Sequence, residues 1–550
     1  MNLAPIAQWG KAVFVNVFKL SALVACGLVL CLSGCARSQF PGDSAAVEAL
    51  SAARFISKQA PVVVSLSEKP DRVLSEIKGF DRGKKLLQNT LLDSTGLEYQ
   101  QDIQPWLDGG GIWAMTSTDL DRQGDNGQQP GYLVVLPTKN AQLSQELLEV
   151  YWQREAIAGQ DLVFEPYKGT QLIYSRKENT IATTVVGSRF VLLANHPKVL
   201  REGINNVQVA DLSLGATPDY QQLQELNRDK GKAIAWINLP QFAQKLGMDV
   251  NHPLYAALGM SVQFQQDGLL AKTDWLPTDP ALLAGGEAPL NPSSLLTYLP
   301  PSSYLAINGV NLRQFWQQVQ TETAGYGNIS EILRQPLLDW GKQWQLDVQA
   351  DILDAIEGEY AIALLPDEEE GDLDWIIISE KTGESLTDRL DAMVNQQGLS
   401  VGSFKLDDRT LVAWTKLIAD PIVEGKETAK SRLLKAKVQG VHTTVNQYEI
   451  ITSSIAAMDR VLKAKKTGNS LATDALFQDS IAALPPVNHG YFFVNWRSAQ
   501  KPLERQIPLL RLVELAGKPL LDPLESVAIA SSSTSEERQA DIFFNYMAVH

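Results

Sequence analysis

One pattern of residues occurs twice in this chain, in the same order each time. Leu97 to Met115, LEYQQDIQPWLDGGGIWAM, matches Leu346 to Leu364, LDVQADILDAIEGEYAIAL. Leu97 meets Leu346, Asp102 meets Asp351, Ile103 meets Ile352 and Gly109 meets Gly358. The match then continues: GYLVVLPTKNAQLSQELLEVYWQ with DWIIISEKTGESLTDRLDAMVNQ, and QLIYSRK with TLVAWTK. Each copy next carries Thr-Thr-Val, at Thr183 to Val185 and at Thr443 to Val445. Similar segments in a fixed order mark one structural plan used twice. The sequence therefore reads as two tandem diverged repeats, residues 46–285 and 293–550, with a Pro- and Gly-rich linker at 286–292.

Within a copy the periodicity is mixed. Short β-branched or aromatic runs bounded by turn residues, such as GYLVVLP, QLIYSR and RFVLLAN, predict strands. Ala141 to Arg154 places Leu143, Leu147, Leu148 and Tyr151 on one helical face. His196 to Asn206 reads as a helix with Pro197 in its first turn, where a missing N–H costs nothing. Strands in runs joined by short turns favour antiparallel pairing, and so an α+β class. Each repeat is expected to be a mainly antiparallel sheet with helices packed on one face.

The cysteines say where such a chain lives. All three, Cys26, Cys31 and Cys35, lie near the N-terminus, and none follows Cys35. Lys11 and Lys19 precede an apolar run, LSALVACGLVLCLSG, which is short of the roughly 20 residues that a helix needs to span a bilayer. A basic start, a short apolar core and small residues before a cut fit a removed signal peptide, residues 1–34. Leu32-Ser33-Gly34-Cys35 resembles the lipobox of bacterial lipoproteins. That resemblance implies cleavage before Cys35 and a diacylglycerol on its thiol. Residues 35–45 would then be a polar tether. Two or more acyl chains anchor a protein stably where one does not.

Charge narrows the partners. The formal net charge is −15, and it becomes −17 once Lys11 and Lys19 leave with the signal. Nucleic-acid binding needs clustered Lys and Arg, so no nucleic acid is expected. The same acidity argues that the body stands off anionic headgroups.

Few residues offer chemistry. Asp119, Asp121 and Asp125 gather hard oxygens in one loop, a weak metal candidate without EF-hand spacing. LDGGGIW could cradle a phosphate, but no P-loop lysine follows, and a tight turn into a strand explains the glycines. The five histidines show no metal spacing, and no G-x-S-x-G elbow occurs. No enzyme activity and no cofactor are expected. Val423 to Gly440 is basic within an acidic protein and carries Lys426, Lys430, Arg432, Lys435 and Lys437. It has no counterpart in the first copy and reads as an insertion between two strands, a docking arm for an acidic partner or a lipid surface.

Asp-Ile-Gln-Pro-Trp-Leu, NGQQPGYL, DLVFEPYKG and ANHPKVLREGINNVQ, together with the lipobox, resemble an uncharacterised cyanobacterial lipoprotein family catalogued as a domain of unknown function. The resemblance implies a membrane-anchored protein facing the periplasm or the thylakoid lumen. The leading expectation is a non-enzymatic binding or scaffold protein, or assembly factor, for a membrane-protein complex, which in such a cell includes photosynthetic ones. Two alternatives stay open: a carrier or chaperone for a lipid or other apolar ligand, and a hydrolase with an unrecognised site.

Overall fold

The computed structural model describes residues 51–69, 96–117, 119–120, 129–177, 181–226, 233–245, 248–265, 267–279, 294–326, 347, 349–367, 373–381, 383, 385–419, 434–506, 521, 523–531 and 538–546. The signal, the lipobox, the tether, the 286–292 linker and the centre of the basic segment lie outside them. Among the described residues, no helix is long and apolar enough to cross a membrane.

The chain forms two compact units. The first holds the described residues between 51 and 279, together with the last strand. Its strands are β1 (Val62–Leu66), β2 (Ile112–Ser117), β3 (Gly131–Pro137), β4 (Leu162–Tyr167), β5 (Thr170–Ser175), β6 (Ala182–Val186), β7 (Phe190–Ala194), β8 (Ala233–Asn238), β9 (Tyr255–Gln265) and β10 (Gly268–Pro277). The order across its sheet is β4-β5-β6-β7-β3-β2-β1-β8-β9-β10, with every pair antiparallel. Helices α1 (Ala141–Ile157), α2 (Pro197–Gln208), α3 (Pro218–Leu226) and α4 (Leu239–Lys245) follow β3, β7, the turns after α2, and β8.

The caps show why the helices begin where they do. Asn140 accepts the Leu143 N–H at 3.0 Å, and the His196 ring accepts that of Lys198 at 3.1 Å. Each supplies an acceptor to a first-turn donor that has none inside the helix. The glycines of LDGGGIW serve packing. A Cβ on Gly110 would lie 1.9 Å from the Leu66 carbonyl oxygen, so only glycine lets the chain pass β1 there.

The helices do not share one face. Leu148, Tyr151 and Trp152 of α1 pack on Val191 and Leu193 of β7. Val199, Leu200 and Ile204 of α2 pack on Phe190, Leu192 and Ala194 of the same strand. Alternate residues of a strand point to opposite faces, so α1 and α2 cover opposite sides of the sheet. This corrects the one-face expectation. The five residues of β7 are all buried, as a strand covered on both sides requires.

The second unit holds the described residues between 294 and 506 and most of β19. It contains β11 (Leu305–Gly309), β12 (Tyr360–Pro366), β13 (Leu373–Glu380), β14 (Ser400–Leu406), β15 (Arg409–Ala419), β16 (Leu434–Val445), β17 (Tyr448–Thr452), β18 (Tyr491–Val494) and β19 (Leu524–Ser531). Their order is β14-β15-β16-β17-β13-β12-β11-β18-β19, again antiparallel throughout. Its helices are α5 (Leu312–Thr323), α6 (Leu386–Gln396), α7 (Ile455–Thr467), α8 (Ala475–Ala482) and α9 (Trp496–Gln506).

The last strand, β20 (Arg538–Tyr546), pairs with β10 from Gly268↔Asn545 to Trp275↔Arg538. It belongs to the first unit, so the second unit does not run unbroken to residue 550 as the linear division has it. The interior of β20 explains the placement: Ile542, Phe543, Phe544 and Tyr546 are buried there.

Aromatics fill the cores. Trp106, Trp152, Trp236, Trp316, Trp375, Trp414 and Trp496 are all buried.

Candidate functional site

One of the second unit's buried polar layers lies beneath α6. Ser385 caps that helix by accepting the Asp388 N–H at 3.1 Å. Glu449, on β17 and 2% exposed, accepts from Ser385 Oγ at 2.5 Å, from the Leu386 N–H at 2.9 Å and from Thr387 Oγ1 at 2.9 Å. A carboxylate at a helix N-terminus also meets the positive end of the helix dipole. Farther along α6, Asp391 Oδ1 accepts from Trp414 Nε1 at 2.6 Å and lies 2.9 Å from His442 Nε2. The Trp414 and His442 rings are 5.4 Å apart. Trp414 belongs to β15 and His442 to β16, so one carboxylate on the helix pins both strands.

The serine hydroxyl serves a cap and a carboxylate, and the histidine serves a second carboxylate. This layer fastens α6 to the sheet. Among the described residues, no group of three or more His, Cys, Asp or Glu side chains is placed to hold a metal ion.

From this pinned base, β15 and β16 run outward as a ribbon. The register shifts between Trp414 and Thr415, with Trp414 opposite Gly440 and Thr415 opposite Val438. Gln439 is thus the extra residue of a bulge, a device that re-aims a strand. A Cβ on Gly440 would lie 2.5 Å from Trp414 Cε3, so glycine is what lets the indole lie against β16. Beyond the bulge, β14 stops pairing at Ser400↔Thr415, and β15 and β16 continue without it. Lys416 lies opposite Lys437, Leu417 opposite Ala436, Ile418 opposite Lys435 and Ala419 opposite Leu434. Lys437 is exposed, and Leu417 is 62% exposed. The pairing thus sets two cationic side chains directly opposite each other on one face of the ribbon.

Of the expected docking-arm residues, Lys435 and Lys437 lie on β16. Lys426, Lys430 and Arg432 lie outside the described residues, in the segment that joins the two strands. Of the expected metal candidates, Asp119 accepts the Gln129 N–H at 3.3 Å, while Asp121 and Asp125 lie outside the described residues. Cys35 and the Leu32, Ser33 and Gly34 before it are outside as well. Sequence reasoning missed Asp391, His442 and Glu449. Their signal is polar residues inside otherwise apolar strand and helix patterns, as in GVHTTVNQYEIIT.

The first unit has a polar cluster of a different kind. Arg201 of α2 forks onto Glu165 of β4 at 2.8 and 2.7 Å, and Tyr174 OH donates to the same carboxylate at 2.9 Å. The Arg201 hydrogen bond holds the Glu165 carboxyl below its ordinary range. It ties the β4–β5 hairpin to α2.

Comparison with known proteins gives a family and no activity. No curated protein matches the sequence. A solved structure, crystal form III of TP0453, is similar over 41% of this chain and 80% of its own, with a TM-score of 0.25 and 10% identity. The model of the family described as "Protein of unknown function (DUF3352)" matches residues 17–546, nearly the whole chain, which therefore belongs to that family.

Proposed function

We propose that the protein is a lipid-anchored, non-enzymatic docking protein, held to the membrane through Cys35 and binding an acidic protein partner through the β15–β16 ribbon. The partner would be part of a membrane-protein complex on the side the anchor faces, the periplasm or the thylakoid lumen of a cyanobacterium. The observation that carries this reading is the ribbon. It extends past its neighbour β14, sets Lys416 opposite Lys437, exposes Leu417 and leads into Lys426, Lys430 and Arg432, all within an acidic chain. On the described part of the ribbon Lys437 is exposed and Lys416 half-buried on one face while Leu417 is exposed on the other, so a partner of opposite charge would find a cationic and an apolar side on one arm.

We also infer that the two units are diverged copies of one plan. The pairing order β4-β5-β6-β7-β3-β2-β1-β8-β9 has the form of β14-β15-β16-β17-β13-β12-β11-β18-β19. Asp102 and Asp351, which align in sequence, each accept a backbone N–H four residues back, that of Glu98 and that of Asp347, both at 2.9 Å. Where the second unit has strands of 11 and 12 residues at β15 and β16, the first has 6 and 5 at β5 and β6. By this control the extended ribbon is an addition to one copy.

The test is co-isolation from gently crosslinked native membranes. Wild type should bring down one membrane complex in near-stoichiometric yield, and Lys416→Glu with Lys437→Glu should lose it. Equal recovery with the double variant would refute the ribbon as the arm. A clean wild-type preparation that carries bound lipid instead would favour the carrier reading.

A further inference from the structure

The first unit exposes an aliphatic strip where its chain enters. From the last turn of α2, the residues Val207, Gln208, Val209, Ala210, Asp211 and Leu212 are exposed in an unbroken row. Val209 is 48% exposed and Leu212 47%. The N-terminal segment is stitched to this strip. Asn206 Nδ2 donates to the Phe55 carbonyl at 3.1 Å, the Lys58 N–H to that of Leu212 at 2.9 Å, and the Leu214 N–H to that of Ile56 at 2.9 Å. Ser57 and Ser213 form an isolated antiparallel bridge. The strip therefore lies where the chain arrives from Cys35. Ser51 follows Cys35 by 16 positions, a span of at most about 55 Å even fully extended.

Exposed cations lie on the segments that meet this strip. Arg54 and Lys58 are exposed on the entering segment. Lys168, exposed at the β4–β5 turn, is held by Asn205 Oδ1 at 2.6 Å and Gln208 Oε1 at 2.7 Å. Both acceptors are neutral amides, so they orient the ammonium without cancelling its charge. Asp211 is the one carboxylate within the row.

We infer that this face, Val207, Val209 and Leu212 with Lys168 beside them and Arg54 and Lys58 on the segment bonded to them, rests on an anionic lipid bilayer beside the anchor. The inference rests on the anchored reading. Aliphatic side chains set among lysine and arginine are the chemistry of the headgroup boundary, where apolar atoms enter and cations meet lipid phosphate. Residues 207–212 hold no aromatic of the kind that dominates protein interfaces, and Tyr167 beside Lys168 is half-buried with its OH donated to Asn205 Oδ1. Such contact departs from the expectation, drawn from the net negative charge, that the body stands off anionic headgroups. Charges farther from the bilayer than about 8 Å are largely screened at physiological ionic strength, and the face itself is basic.

The test uses the full-length, processed protein in vesicles of phosphatidylcholine and phosphatidylglycerol that contain a brominated lipid quencher. An environment-sensitive fluorophore is placed at Val209→Cys and, as control, at Val487→Cys, an exposed position of the second unit. The fluorophore at 209 should be quenched at least about twofold more than at 487. Lys58→Glu with Lys168→Glu should reduce that difference. Equal quenching at the two positions overturns the inference. So does a probe at 209 that is shielded from water in native membranes but not quenched by lipid, since that outcome assigns the face to a protein. The intact mass of the same preparation reads the anchor separately. Quenching at 209 without lipid on Cys35 keeps the face and sinks the anchor, while lipid on Cys35 with equal quenching does the reverse.

Discussion

Glu449 is an ionisable side chain inside a sheet, and it survives there because three donors converge on it. Burying a carboxylate without partners is prohibitive, and removing one member of a satisfied buried network strands the others. Glu449→Ala leaves two hydroxyls and the Leu386 N–H without their acceptor. It should destabilise the second unit by about 3 kcal/mol, read as a lower urea midpoint, with Glu449→Gln losing less. Glu165 makes a pH-dependent contribution whose sign is fixed by its partner. Arg201 lowers its carboxyl, so the stabilisation is fully present above the ordinary carboxylate range. It is lost as the pH falls through the lowered native value. The stability gap between wild type and Glu165→Gln should be widest near neutrality and close in acid. A gap that widened in acid would contradict the assignment.

At the scale of elements, the ribbon depends on one small residue. Adding a methyl at Gly440 pushes it into the Trp414 ring, which also holds Asp391. Gly440→Ala should cost about 1–3 kcal/mol, seen as faster hydrogen exchange in β15 and β16, while α7 stays protected. Much of the element list was legible. GYLVVLP is β3, RFVLLAN contains β7, and the apolar stripe from Ala141 is α1. Local periodicity and capping residues suffice for these. Coverage of both faces was less plain, although runs without alternation, VVVSL and FVLLA, carry that sign. The layer beneath α6 was illegible, since Ser385, Asp391, His442 and Glu449 meet only through pairing of distant strands. Pattern reading finds an element's own face and does not say which polar group lies across from it.

For the whole molecule, the C-terminal strand is the least local feature. β20 completes the sheet of the first unit on β10, from the far end of the chain. No periodicity near residue 538 announces that partner. Deleting residues 538–550 removes Ile542, Phe543, Phe544 and Tyr546 from that core and bares the β10 edge. Hydrogen exchange should rise in β9 and β10 and stay unchanged in β16 and β17. A rise confined to the second unit would refute the placement. Membership of the family of unknown function adds no partner, so the docking reading stands on the ribbon and the anchor.

The most direct measurement is site-specific photocrosslinking in native membranes, with a photoreactive residue at Leu417 and a control at Val487. One discrete adduct is expected from 417, formed through an acidic stretch of the partner, lost with Lys437→Glu and absent from 487. No adduct at 417, or the same adducts from both positions, would contradict a docking ribbon.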